Sequence, residues 1–269
     1  METILDKIVH HKRVEVAGNK QLTPVKQLER SDSFSRNCVS MKSHILRSDL
    51  NGIIAEFKRK SPSKGVINGT ASVIETTGGY VQSGVSGLSI LTDNQFFGGS
   101  NNDLEMARRN TSHPILRKDF IIDEYQIVEA KSIGADVILL IAAILSPAEI
   151  SQLAKFAKCL GLEVLMEVHD SDELERSIDP NLDMIGVNNR NLNTFETNVE
   201  VSHQLYDLIP DEFVKVSESG ISDPRVVLEL KNCGYNGFLM GENFMKSENP
   251  GMACDQFSNE LRLLGKQSV

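Results

Sequence analysis

Residues 52–65 read GIIAEFKRKSPSKG. The run opens as a buried strand does, with Gly52, Ile53, Ile54 and Ala55, and then sets Glu56 and Lys58 on either side of Phe57. Side chains alternate faces along a strand, so Ile54, Glu56 and Lys58 share one side. An apolar row that finishes in two opposite charges fits a strand leaving a core and entering a polar pocket. A strand running out into solvent would look the same, so the ending gains weight only if it recurs.

It recurs four times. In PILRKDF (114–120) Leu116 shares a face with Lys118 and Phe120, and in LEVLMEVHD (162–170) Leu165 leads to Glu167. In DMIGVNNRN (183–191) Gly186 leads to Asn188 and Arg190, and in FVKVSESG (213–220) Val214 and Val216 lead to Glu218. Three further strand-like runs, GLSIL (87–91), ADVILLIA (135–142) and GFLMGE (237–242), bring the total to eight, starting roughly every 20–35 residues. Helical patterns lie between them. Asp123 precedes EYQIVEAKSIG, Ser146 precedes PAEISQLAKFAKCLG with Glu149 in its first turn, and Asp223 precedes PRVVLELKNCG, each run closing on glycine. Alternating strands and helices imply a parallel sheet, and eight units imply an α/β fold closed as a (β/α)8 TIM barrel. An open doubly wound sheet is the alternative, but no G-x-G-x-x-G follows the first strand. Residues 1–50 fall outside this rhythm and are expected to form a helical extension, with an amphipathic helix at 2–16 and a less regular stretch at SDSFSRNCVS, packed on a single barrel domain spanning 1–269.

A parallel barrel gathers the C-terminal ends of its strands on one face, where active sites of this fold are built. Lysines crowded among glutamates on a partly dry floor can act as general acids, and a glutamate there can relay a proton. A strand-end lysine could equally form a Schiff base, and the residues alone do not choose. The last two strands lead into SESGISDP (217–224) and LMGENFMK (239–246), where this fold commonly holds a phosphate on backbone N–H groups. Ser219, Gly220, Gly241 and Glu242 stand there, with Glu242 contributing only its backbone, and Ser61 could add a hydroxyl. Phe97, Phe120 and Leu139 are candidates for an apolar pocket wall, with core packing an equal reading of each. The glycines of FFGGS (96–100) read as a hinge or as close packing.

Composition bounds the partners. A net charge of −9 argues against nucleic acid as a main partner, without excluding an anionic small molecule. No run approaches a membrane span, no signal peptide is evident, and the four scattered cysteines fit reduced thiols in a cytoplasmic protein better than disulfides or zinc. A monomer is compatible with the chain, whose oligomeric state the residues leave open. The six histidines show no ligand spacing and are given no role, His169 included.

IIAEFKRKSPSKG, LTDNQFFGGS, PILRKDFIIDEYQI, LEVLMEVHD, IGVNNRNLNTF and VSESGIS, followed by LMGENFM, resemble indole-3-glycerol-phosphate synthase of tryptophan biosynthesis, in order, over about residues 50–246. The resemblance implies closure of the indole ring of 1-(2-carboxyphenylamino)-1-deoxyribulose 5-phosphate, with loss of CO2 and water and no metal or organic cofactor. It implies Lys118 as the principal general acid and Glu167 as a second proton-transfer residue. It also implies Lys58 at the substrate carboxylate, Glu56, Asn188 and Glu218 as orienting groups, and Arg190 as electrostatic support. Competing expectations are another phosphosugar barrel, namely a Cys/Asp isomerase or a Schiff-base aldolase, and a catalytically idle scaffold. The isomerase is disfavoured because the cysteines lie in helices or the extension, and the scaffold because every strand-end charge is present.

Overall fold

In the computed structural model, which describes residues 3–191 and 194–267, eight parallel strands close into a barrel. They are β1 (Ile53–Phe57), β2 (Gly87–Leu91), β3 (Ile115–Lys118), β4 (Val137–Ile141), β5 (Glu163–Val168), β6 (Met184–Asn188), β7 (Val214–Glu218) and β8 (Gly237–Met240). Each pairs with its sequence neighbour, and β1 closes the ring on β8 with Ile53 opposite Phe238 and Ala55 opposite Met240. The expected runs therefore hold as strands, and four of them stop one or two residues early. Asp119, Ser219, Gly241 and Glu242 lie beyond the ladders, as they must after β7, where Ser219 and Gly220 turn to φ +67° and +77°.

Alternation divides the apolar residues into two layers. Ile54, Leu116, Leu139, Leu165, Met184, Val214, Val216 and Leu239 fill the barrel interior, while Ile53, Ala55, Phe57, Ile115 and Ile138 face the surrounding helices. Each fully buried aliphatic side chain contributes about 1.5–3 kcal/mol of transfer free energy, so a one-residue slip in any strand would be heavily penalised. The interhelix signals perform as read. Asp123 caps Glu124–Ile133, Ser146 and Glu149 form a capping box on Pro147–Cys159, and Asp223 caps Pro224–Cys233.

The extension wraps the barrel from mouth to base. Helix α1 is Ile4–Leu22, longer than the apolar pattern at 2–16 indicates, and residue 2 lies outside the described residues. The extra turns are held from outside, because the Tyr125 hydroxyl donates to Asn19 O at 3.1 Å and Thr23 O at 2.9 Å. At the opposite end Met41 and Ile45 plug the interior beside Gly87 and Gly237, the first residues of β2 and β8. Asp136 pins this plug. Its Oδ1 accepts from Arg36 Nη2 and Val39 N, both at 2.7 Å, and its Oδ2 accepts from Arg108 Nη1 and Ile115 N, both at 2.8 Å. No described helix is long and apolar enough to cross a membrane.

Candidate active site

The strand ends meet at a cavity of about 470 Å3 at the C-terminal mouth. All fifteen residues singled out above line it: Glu56, Lys58, Ser61, Phe97, Lys118, Phe120, Leu139, Glu167, Asn188, Arg190, Glu218, Ser219, Gly220, Gly241 and Glu242. Ile4, Leu5 and Ile8 of α1 complete the wall.

Lys118 is the hub of the floor. Its Nζ lies 2.6 Å from Glu167 Oε2 and 2.8 Å from Glu218 Oε2, reaching across the barrel from β3 to β5 and β7. Burial opposes the ammonium charge, but Glu167, Glu218 and Glu56 outweigh it and raise the lysine above its ordinary pKa. The two carboxylates diverge. Burial disfavours the charge of Glu167, yet Lys118 and then His169 outweigh it and hold this carboxyl well below the usual range. Burial pushes Glu218 up, Lys118 only partly corrects it, and the charge of Glu167 adds to the rise. Two carboxylates competing for one lysine thus favour different protonation states.

The rest of the polar floor orients these groups. Asn188 Nδ2 donates to Glu167 Oε1 at 3.1 Å, and Asn188 Oδ1 accepts from Arg190 N at 3.1 Å. A second pair stands on β1, with Lys58 Nζ 2.6 Å from Glu56 Oε1. Backbone packing sets Glu56 in place, since a Cβ on Gly241 would lie 2.7 Å from Glu56 Oε1. Gly186 does the same for Glu218, whose Oε1 occupies the space a Cβ would need. The row Gly186–Asn188–Arg190 therefore has a glycine because a neighbouring carboxylate fills the interior at that level.

The far side of the cavity carries the residues expected to hold a phosphate. Ser219 holds an uncommon positive φ, and its carbonyl accepts from Asn189 Nδ2 at 3.1 Å. Glu242 is answered by two cations: Arg190 Nη2 at 3.0 Å and Lys64 Nζ at 3.9 Å. Arg190 also donates to Ser63 Oγ at 3.0 Å. Its guanidinium therefore bridges the loops after β1, β6 and β8, a more definite place than general electrostatic support. Opposite, the Phe97 and Phe120 rings lie 5.9 Å apart beside Leu139, forming an apolar wall. The FFGGS glycines serve close packing: Gly98 ends the short helix Asn94–Phe97 at φ +63°, and a Cβ on Gly99 would collide with Leu91 O.

The family model for indole-3-glycerol phosphate synthase matches residues 5–257. The chain is 50% identical over 262 residues to the indole-3-glycerol phosphate synthase of Bacteroides thetaiotaomicron, covering 97% of this chain and all of that one. Its identity to the enzyme of the same name from Polaromonas naphthalenivorans is 41% over 263 residues, again covering 97% of this chain and all of the other. The chain belongs to the indole-3-glycerol phosphate synthase family. Membership makes it a carboxy-lyase of tryptophan biosynthesis. Among solved structures, 3-hexulose-6-phosphate synthase from Salmonella typhimurium has a TM-score of 0.62 at 13% identity, covering 79% of this chain and 99% of its own. KGPDC from Streptococcus mutans has a TM-score of 0.60 at 13% identity, covering 80% and 98%. At that identity the likeness is one of fold.

Two features of this synthase escaped the sequence reading. His169, assigned no role, is 12% exposed and lies against Glu167 of the floor, with Nε2 3.4 Å from Glu167 Oε1 and Nδ1 3.0 Å from Glu173 Oε2. His44 and His113 form a partly buried edge-to-face pair with ring centroids 5.6 Å apart. The second feature is Lys12 on α1, fully buried with Nζ 2.8 Å from Glu15 Oε1, 2.9 Å from Asp93 Oδ2 and 3.0 Å from Asp119 Oδ1. Asp119 follows Lys118 and also meets Arg117 Nη2 at 3.2 Å, so a buried charge network ties α1 to the end of β3. Leu192 and Asn193 of the NNRNLNTF motif lie outside the described residues. Among the described residues no group of three or more His, Cys, Asp or Glu is placed to hold a metal ion.

Proposed function

We propose that this carboxy-lyase closes the indole ring of 1-(2-carboxyphenylamino)-1-deoxyribulose 5-phosphate by lysine–glutamate acid–base catalysis, as a single barrel unit with residues 1–50 packed on it, in the cytoplasm. The observation that carries this is the Lys118 ammonium held between Glu167 and Glu218 on the floor of the cavity. Phe97, Phe120 and Leu139 line that cavity with apolar surface, and Ser219, Gly220, Gly241 and Arg190 line it with polar groups. In this reading the phosphate docks at Ser219–Gly220 and Gly241–Glu242, and the aromatic ring lies against Phe97, Phe120 and Leu139. Lys58 faces the substrate carboxylate.

The carboxylate-bearing ring carbon attacks the ribulose carbonyl carbon, and the developing alkoxide takes a proton from Lys118. The carbon–carboxylate bond then breaks, releasing CO2 and returning its electron pair to the ring. The new hydroxyl leaves as water with acid assistance, while Glu167 transfers the proton whose loss completes the aromatic pyrrole. Glu218, Glu56 and Asn188 orient these groups. The Schiff-base alternative needs a neutral lysine amine, and the two carboxylates hold Lys118 in its charged form.

Indole emission on adding the carboxyphenylamino-deoxyribulose phosphate tests the reading, against a low background because the chain has no tryptophan. Lys118→Ala should lower turnover by about 10²-fold or more. Near-normal turnover would remove Lys118 from its role. Borohydride trapping of an adduct on the native enzyme would favour Schiff-base chemistry instead.

A further inference from the structure

His169 follows Glu167 by two positions and therefore continues the same inward face just past the end of β5. Its ring is fixed on both sides. Nδ1 donates to Glu173 Oε2 at 3.0 Å, and the same oxygen accepts from His169 N at 2.9 Å, so ring and backbone are held by one carboxylate on helix Ser171–Ser177. Nε2 is thereby aimed at Glu167 Oε1, at 3.4 Å, a charge contact rather than an aligned hydrogen bond. Asn188 Nδ2 reaches that same oxygen from β6, which leaves Oε2 to Lys118 from β3. Beyond Lys118 stands Glu218 on β7. Arg176, on the same helix as Glu173, is turned away, donating to the carbonyls of Ala142 and Leu145. Asp170 caps that helix by accepting from Glu173 N at 2.8 Å, and Glu56 adds its charge to the Lys118–Glu218 side.

The geometry points to His169 as a positioning residue that acts through Glu167: clamped by Glu173, it holds a positive charge against Oε1, fixing the carboxylate rotamer and keeping it ionised for its exchange with Lys118. This inference rests on the proton-transfer role proposed for Glu167. Burial disfavours the imidazolium, but Glu167 and Glu173 outweigh it and push His169 up to about 10, so the charge is present through the neutral range. The sign of its effect follows. Removing a cation beside Glu167 lets the Glu167–Glu218 pair, which titrates as a unit, take up its proton at higher pH.

The test is the pH dependence of kcat and KM for His169→Leu and Glu173→Gln beside the native enzyme. His169→Leu should lower kcat by about tenfold with little change in KM, and move the acid limb of the kcat profile up by about one pH unit. Glu173→Gln, which leaves the imidazole in place but weakens its clamp, should shift the limb in the same direction by less. Should His169→Leu fail to fold, Glu173→Gln alone decides. Profiles that superimpose on the native one would overturn the inference, because a purely structural role does not move an apparent pKa. Glu167→Gln separates the two readings. If it is inert while the His169 and Glu173 variants match the native profile, only the positioning role falls. If Glu167→Gln turns over normally, the role of Glu167 falls and the inference with it.

Discussion

Replacing Lys12 by methionine keeps an unbranched side chain one atom shorter and removes its charge from a site closed to water. Deleting one partner of a buried ion pair costs about 3–5 kcal/mol, most of it the penalty on the charges left behind. Here those charges keep other partners. Asp119 retains Arg117, the Thr92 hydroxyl and the Phe120 N–H, and Asp93 retains the N–H groups of Phe96 and Phe97. The lower end, about 3 kcal/mol, is therefore expected. With an unfolding entropy of about 2.1 cal/mol/K per residue over 269 residues, that loss corresponds to a fall in Tm of about 5 °C. The same loss expressed as local opening of α1 would raise the rate of tryptic cleavage after Arg13 and Lys20 by about 10²-fold, provided opening precedes cleavage. Because Ile4, Leu5 and Ile8 line the cavity, KM should rise along with it. Circular-dichroism melting, limited proteolysis and steady-state kinetics read the three effects. A Tm within about 1 °C of the native value together with unchanged cleavage would refute the reasoning, since a fully buried ion pair cannot be lost at no cost in both.

Three further outcomes follow from the floor. Gly241→Ala should push Glu56 off Lys58 and lower kcat by about tenfold with modest loss of stability, which kinetics and melting would separate. Gly186→Ala inserts a methyl where Glu218 Oε1 stands and should depress kcat more than it changes KM. The raised pKa of Glu218, about 7 through burial only partly offset by Lys118, predicts that kcat falls as pH drops through that value because the carboxyl becomes neutral. Glu218→Gln should lower the plateau and abolish this limb, and a limb that persisted would assign it elsewhere.

The fold and most of the floor were legible because strand alternation is a two-residue period, and a charge that breaks an apolar row announces where the row leaves the core. All five polar endings reach the cavity for that reason. The same rule, carried one step past Glu167, reaches His169, but sequence gives no sign of the Glu173 clamp that turns a loop imidazole inward. Lys12 had a signal too: it stands in the stripe Leu5, Ile8, Lys12 and Val16, where a helix buries its residues. A lone lysine in such a stripe usually snorkels to water. What kept this one inside, the carboxylates of Asp93 and Asp119, belongs to loops 81 and 107 residues further along. Long-range pairing of this kind leaves no local pattern. The exact strand ends were hidden similarly, because they depend on where the backbone turns, as at Ser219.

The extension that spans both ends of the barrel also sets an order of events during synthesis. Residues 1–50 leave the ribosome before the barrel does, yet Arg36 must wait for Asp136, 100 positions later, and Ser40 for Glu163, 123 positions later. Until then Ile8, Met41 and Ile45 have no core to enter. A segment made before the barrel thus finds its place after much of it, and docks only on a half-built or finished barrel. In the nascent chain these same apolar residues stay exposed until the strands that bury them have been made.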